Sequence, residues 1–422
     1  LETSVSELGN GLKVATTNLG GAQSASISLF VGTGSRYETK RINGISHYLE
    51  HMLFKGTAKR PKAEMIAEAI EGAGGRTNAF TSYELTCYVS KVPFDKLEIA
   101  LDVAADMVNE SLLDISEVER ERSVIKEEIK REKDNPASWV WELLSQVMYG
   151  DQPLGWNVAG TEDTVSDITR QDLTDYVGSW YVPNNMVLSV AGRVSHDNVM
   201  EIAEKLFKQR TKVSIGEFAP VQEKKDGPTV MVETRTSAQS NLTIGLPALD
   251  RFDPDRFTLT VLNNLLGRGM SSRLFREVRE RRGLAYSVGS STSRFHDTGL
   301  MVAHAGVDPT KVVDAAKVII NEIEKLTTEP VGEEELEKAK DFTTGNFRLD
   351  LEDSMSVSRW TGSSILATGE LEDIDDIISK FRAVQPEDIL RVAGRLFDRK
   401  KMSMAVTGPN DVTQELLEEL QR

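Results

Sequence analysis

A stretch in the second half of this chain repeats one in the first, and nothing else constrains the fold as strongly. Ile168–Tyr181 aligns without a gap on Val384–Phe397 at an offset of 216 residues. Asp172 meets Asp388, Gly178 meets Gly394 and Tyr181 meets Phe397. The match continues from Met186–Gly192 to Met402–Gly408. Each copy reads as an amphipathic helix, a short turn and an apolar strand ending at glycine. Pro93 meets Pro309 at the same offset, each ahead of a helical run (Leu97 to Met107, Val313 to Ile323). The repeat predicts two structurally similar halves, and 422 residues exceed one comfortable hydrophobic core. The joint is placed at 216–228, a polar stretch bracketed by Pro220 and Pro228. It separates a first domain, 1–215, from a second, 229–422.

Within each half the apolar period alternates between two and about 3.6 residues. Leu12–Thr16 and Ala25–Val31 alternate like antiparallel strands. A helix bearing His47 and His51 is expected to follow, ended by Gly56. A second helix opens at Pro61 and stops at Gly74 and Gly75, and Arg76–Val92 reads as a hairpin or edge-strand region. The predicted class is α+β, with helices on one face of a mostly antiparallel sheet in each domain.

His47-Tyr48-Leu49-Glu50-His51 carries the chemistry. Histidines at i and i+4 on a helix project from one face and can share a tetrahedral metal, here Zn²⁺. Glu50 lies on that face, placed to take a proton from a water that the metal activates. The chain has five histidines and one cysteine, Cys87. That excludes an intrachain disulfide and a cysteine-rich zinc site. Only the first half can be the metal half, because the 216-residue offset puts Asn263 and Gly267 at the histidine positions and no His-x-x-x-His follows residue 220. A catalytic zinc takes three protein ligands. His196, His296 and His304 are isolated, so the third is expected to be a carboxylate. The helix predicted to start near Ser116, with a capping box to Glu119, supplies Glu119, Glu121, Glu127, Glu128 and Glu132. Glu121 and Glu128, seven apart, share a face, but spacing leaves Glu127 and Glu128 equivalent as ligands.

Five segments, in order, carry a resemblance. His47–Thr57 resembles the zinc helix of the pitrilysin/insulysin/mitochondrial processing peptidase family of inverted-motif metallopeptidases. Gly75–Glu84 is similar to its substrate-lining strand, Glu121–Glu128 to its ligand helix, and Tyr181–Met186 to its strand entry closing the first domain. Arg279–Val288 is similar to its second-domain Arg…Tyr motif. The resemblance spans nearly the whole chain and points to the short, half-length, bacterial type.

What the resemblance implies is specific. Glu128 stands 77 residues after His51, the spacing at which the family places its ligand glutamate. The ligand set is then His47, His51 and Glu128, with one Zn²⁺ per chain. Glu50 is the general base, Glu121 a supporting acid, and Arg279 and Tyr286 act on substrate. A peptide or unfolded segment is expected to pair with an edge strand at Asn78, Ala79 and Phe80, in a chamber between two facing domains. Family members of this length work as homodimers or as heterodimers with a related chain. Some of those chains are non-catalytic recognition or scaffold subunits that have lost site residues. This chain retains them all.

Composition closes off other classes. A net charge of −16 argues against nucleic-acid binding. No apolar run reaches the roughly 18 to 20 residues that span a bilayer. The N-terminal Leu1–Ser4 lacks a basic or apolar signal region, so the expectation is a cytoplasmic protein from which any targeting segment has been removed.

Overall fold

The computed structural model describes residues 2–207, 211–222 and 227–422. Residues 223–226, inside the expected linker 216–228, lie outside the described residues. The chain forms two compact units, each built on one sheet.

The first sheet contains β1 (Glu2–Glu7), β2 (Lys13–Asn18), β3 (Ser24–Val31), β4 (Arg76–Thr81), β5 (Thr86–Pro93) and β6 (Met186–Gly192), in the order β1-β2-β6-β3-β5-β4. The second contains β7 (Thr229–Thr234), β8 (Ser240–Ala248), β9 (Ala285–Arg294), β10 (Gly299–Val307) and β11 (Ser403–Gly408), in the order β7-β11-β8-β10-β9. With β1 set aside, the two orders correspond strand for strand. β6 and β11 are the strands that the 216-residue repeat aligns. Each is the partner of the one parallel pair in its sheet, β2 with β6 and β7 with β11; the other pairings are antiparallel. The α+β class, with two sheets and helices packed on them, is the fold observed.

Alternation along β3 explains how its sheet is covered. Ala25, Ile27, Leu29 and Val31 point into the main core of the first unit, with Val14, Leu188 and Val190. Ser26, Ser28 and Phe30 point to the opposite face. There they meet a helix from the second half of the sequence, Ser354–Thr368. Ser26 Oγ lies 2.8 Å from Ser354 Oγ, Ser358 Oγ donates to Ser28 Oγ at 2.9 Å, and Ile365 packs with Phe30. A Cβ on Gly362 would stand 2.4 Å from the Phe30 ring, so the helix can approach this closely only with glycine there.

The second sheet is treated the same way by a helix from the first half. Pro136–Tyr149 places Val140, Leu143, Leu144 and Met148 against Leu300, Val302 and Ala405. Its first carbonyl, Pro136, accepts from Thr407 Oγ1 at 2.8 Å. The units are therefore not the two sequence halves taken whole. Residues 130–156 join the second unit and 348–372 the first.

Candidate metal centre

The helix Ile45–Met52 buries Ile45, Ser46, Tyr48, Leu49 and Met52, which leaves His47, Glu50 and His51 half-buried on its other side. Its N-terminus is fixed by Glu38. That buried carboxylate accepts from the Gly44 N–H (2.7 Å), the Ser46 N–H (2.9 Å) and Asn43 Nδ2 (2.9 Å). It satisfies helix N–H groups that have no partner within the helix. Gly44 has φ +97°, and a Cβ there would lie 2.5 Å from the Ala159 carbonyl oxygen. At the other end the helix stops at Met52, four residues before the expected stop at Gly56. The N–H groups of Phe54 and Lys55 turn back to His51 O and Met52 O in tighter i→i+3 bonds. Gly56 serves a different purpose: at φ +136° it allows close approach to the Pro61 carbonyl.

The carboxylate helix is Ile115–Asp134. Its cap is Asp114, not the expected Ser116 and Glu119. Asp114 Oδ1 accepts from the N–H of Ser116 (2.8 Å) and of Glu117 (3.4 Å), and from the Ser116 hydroxyl itself. A charged acceptor at a helix N-terminus outcompetes a hydroxyl, and the same bonds hold the Asp114 carboxyl below its usual range. Glu119 instead pairs with Arg122. Val118, Glu121, Ile125 and Ile129 form the buried stripe, and the Tyr48 hydroxyl donates to the Val118 carbonyl, tying the two helices together.

That contact brings Glu121 and Glu128 over the histidines. Among the described residues, one ligand atom each from His47, His51 and Glu128 lie within 4.8 Å of one another. Two donors about 2.1 Å from one zinc ion at the tetrahedral angle stand about 3.4 Å apart. Here His51 Nε2 is 3.4 Å and His47 Nε2 3.9 Å from Glu128 Oε2. Two imidazole nitrogens and one carboxylate oxygen suit Zn²⁺, so the residues present fit the ion. Glu127, one position earlier, is exposed.

Glu121 supports the cluster from behind. Its Oε2 lies 3.1 Å from His51 Nδ1, and its Oε1 is 2.7 Å from Lys55 Nζ. This fixes the proton on Nδ1 and leaves the Nε2 lone pair for a metal. Among the described residues the buried His47 Nδ1 has no hydrogen-bond partner, so the two histidines are held unequally.

The electrostatics of the cluster follow from burial and from neighbouring charge. Burial, followed by the neighbouring His51, pushes His47 down to about 4. Burial opposes charge on His51 too, but Glu121 and Glu128 outweigh it and raise His51 to about 9. Without metal, one proton therefore sits on His51 between two carboxylates. Its stabilising effect on the metal-free fold is complete below about pH 6.5, the ordinary imidazole value, and is lost as pH rises through about 9. A metal held by these residues would compete with that proton. Zinc affinity is expected to rise about tenfold per pH unit across the neutral range, with about one proton released per ion, up to about pH 9. Competition titrations at several pH values measure the slope. A flat profile contradicts this account of His51.

Glu50 accepts from Thr81 Oγ1 at 2.6 Å. Burial raises its carboxyl, with the Thr81 bond opposing. Thr81 ends β4, which lies at the sheet edge with Asn78, Ala79 and Phe80 along it. Asn78 is exposed, and its Oδ1 accepts from the Ala79 N–H at 2.9 Å. In the second unit Arg279 and Tyr286 meet each other. The Arg279 guanidinium lies 5.2 Å from the Tyr286 ring centroid and 4.9 Å from that of Phe275, and Tyr286 is 79% exposed. The structure thus gathers His47, Glu50, His51, Glu121, Glu128 and the β4 edge in one unit, and pairs Arg279 with Tyr286 in the other. At the repeat-equivalent positions of the histidines, Asn263 and Gly267 lie on the helix Arg256–Gly267, which packs on β9. A Cβ on Gly267 would stand 2.4 Å from the Ser290 nitrogen.

Sequence reasoning missed Glu38, Lys55 and Thr81. Lys55 and Thr81 carry no local pattern. Glu38 had one faint signal, an acid six residues before a helix-opening glycine.

Comparison with known proteins agrees with this geometry. Residues 13–162 match the family model described as insulinase (peptidase family M16), and 167–342 match the one described as peptidase M16 inactive domain. An uncharacterized zinc protease of Streptomyces coelicolor is 37% identical over 408 residues, covering 95% of this chain and 88% of that one. A zinc protease of Bacillus subtilis, likewise uncharacterized, is 36% identical over 401 residues, covering 95% and 97%. The solved structure of a protease from Helicobacter pylori superposes with a TM-score of 0.91 at 25% identity, covering 97% of this chain and 99% of that one. The peptidase M16 inactive domain of Pseudomonas fluorescens shares the fold, with a TM-score of 0.89 at 21% identity over 97% and 98%. The chain belongs to peptidase family M16, the insulinase family of zinc proteases, as a half-length member.

Proposed function

We propose that the chain is a zinc-dependent endopeptidase that hydrolyses peptides or unfolded protein segments bound in extended form. The observation that carries this reading is the convergence of His47, His51 and Glu128 ligand atoms within 4.8 Å, with Glu50 on the same helix. Zinc, one ion per chain, supplies Lewis acidity there, polarising the scissile carbonyl and acidifying water. Glu50 takes the proton of the attacking water and returns it to the leaving amine; a carboxyl raised by burial suits both roles. Glu121 orients His51. The peptide main chain pairs with the outer edge of β4 at Asn78, Ala79 and Phe80, which favours tolerance of side chains. Arg279 and Tyr286 are assigned to substrate, as guanidinium and phenol donors to peptide carbonyls.

In this reading residues 1–215 hold the metal and the peptide edge and 229–422 contact substrate. The working form is a dimer with an identical or related chain in the cytoplasm, and no helix among the described residues is long and apolar enough to cross a membrane. A non-catalytic recognition or scaffold subunit is disfavoured because every residue of both motifs is present. Incubation with unstructured peptides, with cleavage sites mapped by mass spectrometry, tests the proposal. Internal cleavage is expected, abolished by a zinc chelator and restored by added zinc. Cleavage that persists undiminished in chelator, or none in zinc-replete protein, overturns it.

A further inference from the structure

A glutamate that shuttles protons must present one oxygen in one direction, yet its side chain has three rotatable bonds. Glu50 sits on the helix Ile45–Met52. The fixing contact comes from outside, as the Thr81 hydroxyl donates to Glu50 Oε2 at 2.6 Å. Threonine is β-branched and stiff at χ1, so its hydroxyl is as well placed as its backbone.

That backbone is unusually well held. Thr81 pairs with Thr86 on β5. In the turn that follows, the Ser82 N–H donates to Leu85 O at 2.8 Å. The turn is pinned from its far side, with the Ser35 N–H to Ser82 O (3.2 Å) and the Arg36 N–H to Tyr83 O (2.8 Å). Behind them Arg36 Nη1 and Glu84 Oε1 form an ion pair at 2.6 Å, with side chains only 1% and 6% exposed. A buried pair of this kind strongly resists loss of either partner, so the turn is a rigid frame.

We propose that Thr81 is a positioning residue for Glu50. Its hydroxyl occupies Oε2 and so presents Oε1 for proton transfer. Because Thr81 also terminates the edge strand β4, the surface offered to the peptide main chain and the group that aims the base belong to one rigid piece. A substrate seated on β4 is thereby registered against Glu50 through a single residue. This rests on the reading of Glu50 as proton acceptor given above.

The test compares Thr81→Val, which keeps shape and loses the hydroxyl, with Thr81→Ser, which keeps the hydroxyl. Thr81→Ala covers the case in which valine does not fold. Loss of a hydrogen bond to a charged group predicts a fall in kcat of about 10- to 100-fold for Val and Ala, with KM within about twofold. Zinc content and the visible spectrum of the cobalt-substituted protein are expected to stay those of the wild type. The serine variant is expected to recover most of the rate. Wild-type kcat in Thr81→Val or Thr81→Ala overturns the proposal, as does an equal loss in the serine variant. Glu50→Gln separates the two levels: if it turns over normally, the reading of Glu50 fails. If it is inactive while Thr81→Val is fully active, only the role of Thr81 falls.

Discussion

Glu50→Gln is expected to abolish peptide hydrolysis while the protein keeps its zinc. Glutamine matches glutamate in shape, and its amide oxygen can still accept from Thr81 Oγ1. The fold around the helix Ile45–Met52 should therefore be undisturbed. What disappears is the ability to accept a proton. Positioned general acid–base groups contribute typically about 10²- to 10⁴-fold, and Glu50 is assigned both the acceptance and the return of the proton, so a loss at the upper end is predicted. Zinc retention follows because Glu50 is not among the three groups whose ligand atoms converge. Turnover at the wild-type rate in the glutamine variant contradicts the assignment. Loss of zinc along with activity would make Glu50 a ligand instead.

The second large effect separates neighbours. Glu128→Gln removes the single carboxylate from the convergent set and leaves two imidazoles to hold a dication. Changes to groups that merely support a ligand cost about 10- to 100-fold in affinity, so loss of a ligand should exceed about a hundredfold and leave purified protein largely metal-free. Glu127→Gln, on the exposed side of the same turn, should retain zinc and activity. Glu121→Gln should fall between, since its carboxylate holds His51 Nδ1 at 3.1 Å without joining the ligand set. The order Glu128, Glu121, Glu127 in zinc loss is the prediction. Reversal of Glu127 and Glu128 would shift the ligand register by one.

That register shows where the sequence was legible and where it was not. The histidine pair follows from helical periodicity within five residues, a local property. The carboxylate lies 77 residues away, and Glu127 and Glu128 both fall outside the most buried stripe of their helix. A usable signal did exist. Val118, Glu121, Ile125 and Ile129 make the inward stripe, and Glu128 borders it where Glu127 does not. The repeat foretold matching sheets because each strand's pairing partners are encoded in its own half. It did not foretell that helices 136–149 and 354–368 would each cover the sheet built from the other half of the sequence, so that 130–156 belong to the second unit and 348–372 to the first. Their apolar faces announce burial but do not name the surface that buries them. Glu38 left only a faint trace and Thr81 none, for a related reason. Each acts through hydrogen bonds to one end of the metal helix or to one of its side chains, and such bonds leave no periodic trace.

The central claim is a zinc site made by His47, His51 and Glu128, and metal analysis of the freshly purified, chelator-free wild-type protein tests it most directly. The account predicts about one zinc per chain. Protein that folds normally but carries no zinc, and takes up none when it is supplied at neutral pH, would contradict it.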